Sequence, residues 1–258
     1  MSTRAAAAIN PKDLVEGLGK GLRVIEAFDD DHPRLTASLA AERADITRTA
    51  ARRHLLSLVH FGYASTDGKQ FWLLPRVLRL GQSYLGAARL PRLVQPFIQR
   101  LSQQCGETVN VSVLDGHEVV YVARSNPPRW MSIGYQLGMR VPAHVVTPGV
   151  MILSTWRDAE VRRWIAEHAF SAFTGQTVTT AAGFSKEIAA ARQQDYWATS
   201  GQLDAAFSGI SVALIDRKGD CKGALGMTVL TANYGPDELR TQLLPHLRDA
   251  AQMLRPLL

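Results

Sequence analysis

The sequence predicts an α+β chain in two parts: a small helical module closed by a β-hairpin, then a larger domain of antiparallel hairpins and helices. Three observations carry that reading. The chain has 258 residues, 46% hydrophobic and 20% charged, which excludes a wholly disordered protein and fits two domains of ~100–200 residues each. Apolar residues in the first part recur at helical spacing, whereas later stretches alternate β-branched runs with Asp-Gly turns. The net charge of +6 is also uneven: residues 46–89 hold seven Lys or Arg against the single acid Asp67. A local positive field of that kind attracts polyanions.

Residues 1–12 read as a disordered tail. They contain no apolar stretch of signal-peptide length, so the expected compartment is the cytoplasm. Leu18, Leu22, Ile25 and Phe28 then mark a first helix, stopped by Asp29-Asp30-Asp31 and Pro33. Gly17, Gly19 and Gly21 resemble a phosphate loop only superficially, since no strand precedes them and no GK[ST] follows. Thr36 caps a short second helix, Ala37 to Arg43, with Leu35 as a staple before the cap. After the turn Ala44-Asp45-Ile46, Thr47 caps a third helix that runs to about His60 and buries Ala51, Leu55, Leu58 and Val59.

The exposed start of that third helix carries Arg48, Thr49, Arg52 and Arg53, side chains suited to phosphate oxygens and base edges. Strand signals at 63–65 and 70–73 flank the turn Thr66-Asp67-Gly68-Lys69, with Lys69 at its tip. Helix, short helix, arginine-led helix and hairpin in that order predict a winged helix-turn-helix that binds double-stranded DNA. The expected contacts are Thr36, Thr47, Arg48, Thr49, Arg52, Arg53 and Lys69. The module spans 13–75, and a helix over 76–90 with a wide apolar stripe (Val77, Leu80, Tyr84, Ala88) links it to the rest and suits dimerisation.

Residues 91–258 form the second domain. A helix over 93–105 precedes a hairpin of 108–114 and 118–123 about Asp115-Gly116. Short strand candidates follow at 131–135 and 140–141. Thr147-Pro148 reads as the start of a helix through Trp156. Further helices are expected at 158–168 and 185–194, then a hairpin of 210–215 and 223–230. A last helix begins at Pro236 and bends near Pro245.

Enzyme chemistry finds little support. There is no HExxH, Walker or GxSxG motif, and no histidine stands at metal-ligand spacing. Asp115 and Glu118 are explained by the hairpin turn. Cys105 and Cys221 lack CxxC spacing and read as reduced thiols. The longest uncharged apolar run, 141–156, contains Pro142, Pro148 and His144 and is shorter than the ~20 residues of a membrane span. No catalytic residue, metal, cofactor or membrane is therefore expected.

Five segments resemble one family: ITRTAARRHLLSLVHFGYASTDGKQF (46–71), PRVLRLGQSYL (75–85), GETVNVSVLDGHEVVYVARS (106–125), LGMRVPAH (137–144) and LLPHLRDAAQML (243–254). They are similar to the IclR-type transcriptional regulators, within them the PcaU/PcaR/PobR-like branch that controls aromatic catabolism. The resemblance implies a winged helix-turn-helix, a dimerising linker helix and a C-terminal GAF-like effector-binding domain, assembled as a homodimer or a dimer of dimers. It also implies an effector pocket. Thr147, Pro148 and Gly149 correspond to a backbone-amide anion site, and the sequence independently places a helix start there, which favours a carboxylate. Trp130, Ile133 and Val141 match apolar wall positions, and Thr199, Gly209, Gly226 and Thr228 match positions where relatives use polar side chains.

The chain departs from the family in three places. VTPGVMILS replaces the usual TSMGRVLLA, which puts Val150 where a basic residue is common and lets Pro148 remove one amide donor. QLDAAFSGISVA replaces ELExGLRSIAVP, and Asp195-Tyr196-Trp197 replaces Gly-Tyr-Ala. Fewer polar groups and added tryptophan suit a ring, so the expected effector is a small aromatic carboxylate such as 4-hydroxybenzoate or protocatechuate. Trp130 and Trp197 could equally belong to the pocket or to the core. Two alternatives stay open at this point: a regulator responding to another small organic acid, or an enzyme acting on a small aromatic acid. The second would explain the larger domain alone.

Overall fold

The computed structural model describes residues 9–127 and 134–258. They divide into two compact units that meet between Tyr84 and Leu85.

In the first unit a 3-10 turn, Pro11–Asp13, precedes α1 (Glu16–Glu26). Of the expected tail, residues 1–8 lie outside the described residues, and ordered backbone begins before residue 12. Next come β1 (Leu35–Thr36), α2 (Ala37–Arg43) and α3 (Arg48–His60). The turn between α2 and α3 is short because α2 ends in a two-bond closure: Ile46 N donates to Ala41 O at 3.0 Å and Asp45 N to Glu42 O at 3.3 Å. That closure needs a left-handed residue, and Asp45 supplies it at φ 50°. α3 ends in the same way, with Gly62 at φ 76°. The core combines Val24, Leu35, Leu55 and Phe71 with Ala40, Ala41, Ala44 and Ala51, whose small side chains let α2 and α3 approach closely.

Strands β2 (Ala64–Thr66) and β3 (Gln70–Leu73) form the hairpin, and β1 adds to β3 through Leu35 opposite Phe71. Sequence reading assigned Leu35 to a staple, because a two-residue strand leaves no alternation to detect. A 3-10 turn, Pro75–Val77, leads into α4 (Leu78–Ala87).

The second unit opens with α5 (Arg89–Cys105), which starts earlier than its sequence pattern suggested. Pro91 falls in the first turn, where its missing N–H has no intrahelical partner to lose. A hairpin of β4 (Thr108–Asp115) and β5 (Glu118–Ser125) follows, then β6 (Arg140–Pro142) and a 3-10 turn, Ala143–Val145. Of the strand expected at 131–135, residues 131–133 lie outside the described residues, and Gly134 and Tyr135 are not in a strand. Three helices come next, α6 (Thr147–Ser154), α7 (Asp158–Glu167) and α8 (Ala181–Gln194). Thr180 caps α8, which begins at Ala181, four residues before the expected start. Asp195 closes it at φ 59°, so an aspartate takes up the left-handed conformation that glycine adopts most easily.

The sheet is completed by β7 (Trp197–Ser200), β8 (Phe207–Ile215) and β9 (Cys221–Leu230). The chain ends with α9 (Pro236–Glu238), one π-helical turn (Leu239–Leu243) and α10 (Leu244–Leu254). The predicted bend is thus a π turn placed just before Pro245, whose ring and missing N–H break the regular ladder.

All six strands are antiparallel in the order β6-β5-β4-β9-β8-β7. Side-chain alternation gives the sheet two unlike faces. Val109, Val111, Val212, Leu214, Leu225, Met227 and Val229 pack on one face against Val94, Ile98 and Leu101 of α5 and Leu247 and Leu254 of α10. The opposite face packs against α6, α7 and α8 through Val119, Tyr121, Val150, Met151, Val161 and Phe184. The fold is α+β, a winged helix-turn-helix followed by a GAF-like domain.

Candidate functional site

The first candidate surface is the start of α3. The Thr47 hydroxyl caps it by accepting from Ala50 N at 3.3 Å, and Thr36 caps α2 by accepting from Leu39 N at 3.3 Å. Both threonines are exposed, as are Arg48, Thr49, Arg52 and Arg53. Lys69 is exposed at the hairpin tip, where Asp67 Oδ1 accepts the N–H groups of Lys69 and Gln70 at 2.9 and 2.7 Å. Among the described residues, Arg48, Arg52, Arg53 and Lys69 have no ion-pair partner.

Three other arginines of this unit are already occupied by the fold. Arg23 Nε donates to Ala44 O at 3.0 Å, Arg43 Nε to Ala27 O at 2.6 Å, and Arg76 Nη1 to Phe61 O at 2.8 Å. Arg43 also pairs with Asp29. The arginines of α3 therefore form a distinct set whose five-donor guanidinium forks remain open to an external anion.

The second candidate is a cavity on the α6 side of the larger sheet. Cross-strand pairing aligns its floor in rows: Thr199 opposite Gly209, Gly209 opposite Thr228, and Thr228 opposite Thr108. The next row sets Ser211 opposite Gly226 and Gly226 opposite Asn110. Glycine at 209 and 226 leaves the floor low, and the first turn of α6 covers it. The Thr147 hydroxyl lies 3.3 Å from the point a side chain on Gly209 would first occupy. With its solvent mouth the atom-free space is about 460 Å³.

Thr147, Pro148, Thr199, Gly209, Gly226 and Thr228 all line this cavity. Gly149 does not line it: a β-carbon there would lie 2.0 Å from Ala143 O, and its N–H is spent on Val146 O at 3.1 Å. Pro148 has no N–H, as the sequence showed, and with the Gly149 N–H also spent the run 147–149 offers fewer amide donors than the resemblance implied. Val146 provides no side-chain cap, which leaves the helix start to its own dipole and the Thr147 hydroxyl. Val141 is buried in the core between the sheet and α6. Trp197 packs against that same core and does not line the cavity. Trp130 and Ile133 lie outside the described residues.

Sequence reasoning missed the most informative residues. Asn110 and Ser112 on β4, together with Gln202, line the cavity at 3%, 1% and 7% exposure. Each carries a buried oxygen without a hydrogen-bond partner: Asn110 Oδ1, Ser112 Oγ and Gln202 Oε1. The other ends are engaged, Asn110 Nδ2 donating to Thr228 Oγ1 at 3.1 Å and Gln202 Nε2 to Glu187 Oε1 at 2.9 Å. Burial pushes the Glu187 carboxyl up. Orphaned polar atoms at this depth cost stability unless a water or a polar ligand fills their valence. The signal was present in the sequence: Thr108, Asn110 and Ser112 alternate with Val109, Val111 and Val113 along a strand buried on both faces.

Tyr121 and Tyr135 stack at 5.0 Å beside Ser112. Burial raises both phenols, Tyr135 to about 12 with help from Asp204, so they stay protonated.

A histidine cluster also appears that sequence spacing concealed. His168 Nε2 lies 2.8 Å from His144 Nδ1, His168 Nδ1 lies 3.2 Å from His117 Nδ1, and His144 Nε2 reaches Ser171 O at 3.0 Å. Trp164 stacks on His168 at 4.3 Å. Among the described residues no group of His, Cys, Asp and Glu is arranged to hold a metal. Burial holds the His144 imidazole below its usual value, and burial with the two neighbouring rings takes His168 down to about 4. The unfolded chain therefore binds more protons than the folded one as pH falls from 6.5 toward 4, and stability should drop across that window. Thermal melts at pH 7.5 and 5 test this: His168→Phe, which keeps a ring against Trp164, is expected to flatten the dependence. An unchanged slope would remove His168 from the account.

Asp115 and Glu118 are both held by Arg140, at 2.9 and 2.7 Å, and form no acid–base pair. Cys105 and Cys221 are unbridged. Among the described residues no helix is long and apolar enough to cross a membrane.

A winged helix-turn-helix with unpaired arginines and a separate sensor-like domain with a polar-floored cavity define a DNA-binding transcriptional regulator. Comparison with known proteins makes the assignment specific: residues 17–68 match the IclR helix-turn-helix domain and residues 82–255 match the bacterial transcriptional regulator IclR C-terminal domain. The chain belongs to the IclR family, whose members are regulators and not enzymes. It is 39% identical over 255 residues to the p-hydroxybenzoate hydroxylase transcriptional activator of Acinetobacter baylyi, covering 96% of this chain and 94% of that protein. A transcriptional regulator from Rhodococcus sp. RHA1 has the same fold with a TM-score of 0.79 and 34% identity, over 94% of this chain and 97% of that one. The PobR inducer-binding domain from Acinetobacter, a double mutant in complex with 3-hydroxybenzoic acid, superposes with a TM-score of 0.63 and 34% identity over 66% of this chain and 100% of that one.

Proposed function

We propose that this protein is a cytoplasmic, effector-responsive regulator of aromatic-acid catabolism, sensing a small aromatic carboxylate of the 4-hydroxybenzoate or protocatechuate type. The observation that carries the reading is the cavity, where three orphaned polar atoms lie beneath the uncapped start of α6. In this reading the carboxylate sits at the Thr147 end, stabilised by the hydroxyl and the helix dipole, and the ring lies over Gly209 and Gly226. The names of the 39% and 34% identical relatives, one a p-hydroxybenzoate hydroxylase activator and one a hydroxybenzoic acid complex, support the ligand class. Calorimetric titration with 4-hydroxybenzoate, protocatechuate and pyruvate tests it. The aromatic acids should bind at least tenfold more tightly, and pyruvate binding as well as either would overturn the ligand class.

Residues 13–75 serve as the DNA-binding module, 76–90 as the linker and 91–258 as the effector-binding domain. Arg48, Thr49, Arg52 and Arg53 enter the major groove, with Thr36 and Thr47 at the helix starts and Lys69 on the flanking phosphates. Arg52→Ala or Arg53→Ala should weaken operator binding by ~1–3 kcal/mol where the side chain reads a base edge. A phosphate contact would instead weaken all sequences alike and flatten the salt slope. Unchanged affinity in both variants, measured by gel shift at two salt concentrations, would exclude α3 as the reading helix. The working assembly is a homodimer or a pair of dimers, because α4 buries none of its residues and exposes Leu78, Leu80 and Tyr84. Sedimentation at micromolar concentration should show no monomer.

A further inference from the structure

We propose that Asn110 reads the para-hydroxyl of the effector, setting selectivity for a ring that carries a hydroxyl opposite its carboxylate. The inference rests on the ligand class given above and adds the residue and the ring position.

Three observations converge on Asn110. It is 3% exposed, it lines the cavity, and its Oδ1 has no partner. Nδ2 donates to Thr228 Oγ1 at 3.1 Å, which leaves Oδ1 as the open end of the amide. A phenolic O–H can donate to it. A carboxylate has no proton to give.

The sheet measures the distance between the two ends of the ligand. Gly209, beneath the Thr147 hydroxyl, shares a row with Thr228 and Thr108, and Asn110 is two residues beyond Thr108. Two strand spacings sideways and two residues along a strand separate the Cα atoms of Gly209 and Asn110 by about 12 Å. The Asn110 amide leans back along this line toward Thr228, and a ring anchored at Thr147 with its hydroxyl opposite the carboxylate extends toward it. The residue facing Asn110 across the strand pair is Gly226, which adds no side chain on that side.

A site that presents a buried acceptor to a hydroxyl rejects the analogue lacking that hydroxyl, because the acceptor is then desolvated for nothing. The experiment is calorimetric titration of the full-length protein with 4-hydroxybenzoate, 3-hydroxybenzoate and 4-fluorobenzoate, the last having similar size and no donor. Wild type should bind 4-hydroxybenzoate at least tenfold more tightly than either of the others. Asn110→Leu should bring 4-hydroxybenzoate and 4-fluorobenzoate within threefold of each other while leaving the affinity for 4-fluorobenzoate within threefold of wild type. Asn110→Ala, which leaves space in place of a new group, carries the same expectation should the leucine variant not fold. A wild-type preference that survives in these variants overturns the role of Asn110, and so does an equal loss of all three ligands, which would place the carboxylate there instead. Failure of every aromatic acid to bind wild type overturns the ligand class itself and is distinct from both outcomes.

Discussion

Replacing Gly149 by alanine should strongly destabilise the C-terminal domain. A β-carbon on that residue would lie 2.0 Å from Ala143 O, 2.7 Å from its carbonyl carbon and 2.8 Å from its Cα. All three are backbone atoms of the turn that leads into α6, so no side chain can rotate aside. Relief requires α6 to lift from that turn, and every residue of this helix is buried. A displacement of that kind belongs to the overpacking class at its severe end, about 4 kcal/mol or more. For a domain of this size it corresponds to a melting point lower by about 8–16 °C. Circular dichroism melts read it directly, and a Gly149→Ala protein with the wild-type melting point would refute the packing of α6. Larger residues at this position fail for the same reason, so they cannot serve as probes of the cavity.

Gly209→Val is the substitution that should empty the cavity of ligand while sparing the fold. Its first side-chain carbon would meet Thr147 Oγ1 at 3.3 Å and Met227 O at 3.6 Å, so the neighbours must give by only a few tenths of an ångström. Valine suits a β-strand better than glycine, which offsets part of the crowding. The expected stability loss is about 1–3 kcal/mol, since the two methyl groups reach beyond the first carbon. Its methyl groups take the floor over which the ring would lie, and effector affinity should fall a hundredfold or more. Operator binding without effector should stay at the wild-type level. Retained affinity for aromatic acids in a folded Gly209→Val protein would move the ligand elsewhere.

The two halves of the chain differ in how much their sequence reveals. The DNA-binding unit is built from local signals, since Thr36, Thr47, Asp45 and Gly62 each fix a helix end within a few residues. Its order was therefore legible, apart from the two-residue β1. In the larger domain the decisive relations are between distant strands. Asn110 meets Gly226 and Thr228 only because β4 and β9 pair across more than a hundred residues of chain. No local spacing encodes that register. Gly149 shows the converse difficulty: its place in a helix start was readable, but the direction of its missing side chain depends on Ala143 and the tertiary path of the turn. Residues 128–133 lie outside the described structure, so Trp130 and Ile133 stay as sequence expectations.

The file of imidazoles running from His117 through His168 to His144 has a direction. A carbonyl can only accept, so the proton facing Ser171 O must reside on His144 Nε2. His144 Nδ1 is then bare and takes a hydrogen bond from His168 Nε2, which leaves His168 Nδ1 to take one from His117 Nδ1. One backbone oxygen thus dictates the tautomer of three rings drawn from separate parts of the chain. An added proton finds a vacant lone pair only on His117 Nε2. Anywhere further in, it sets two N–H groups head to head and forces the file apart.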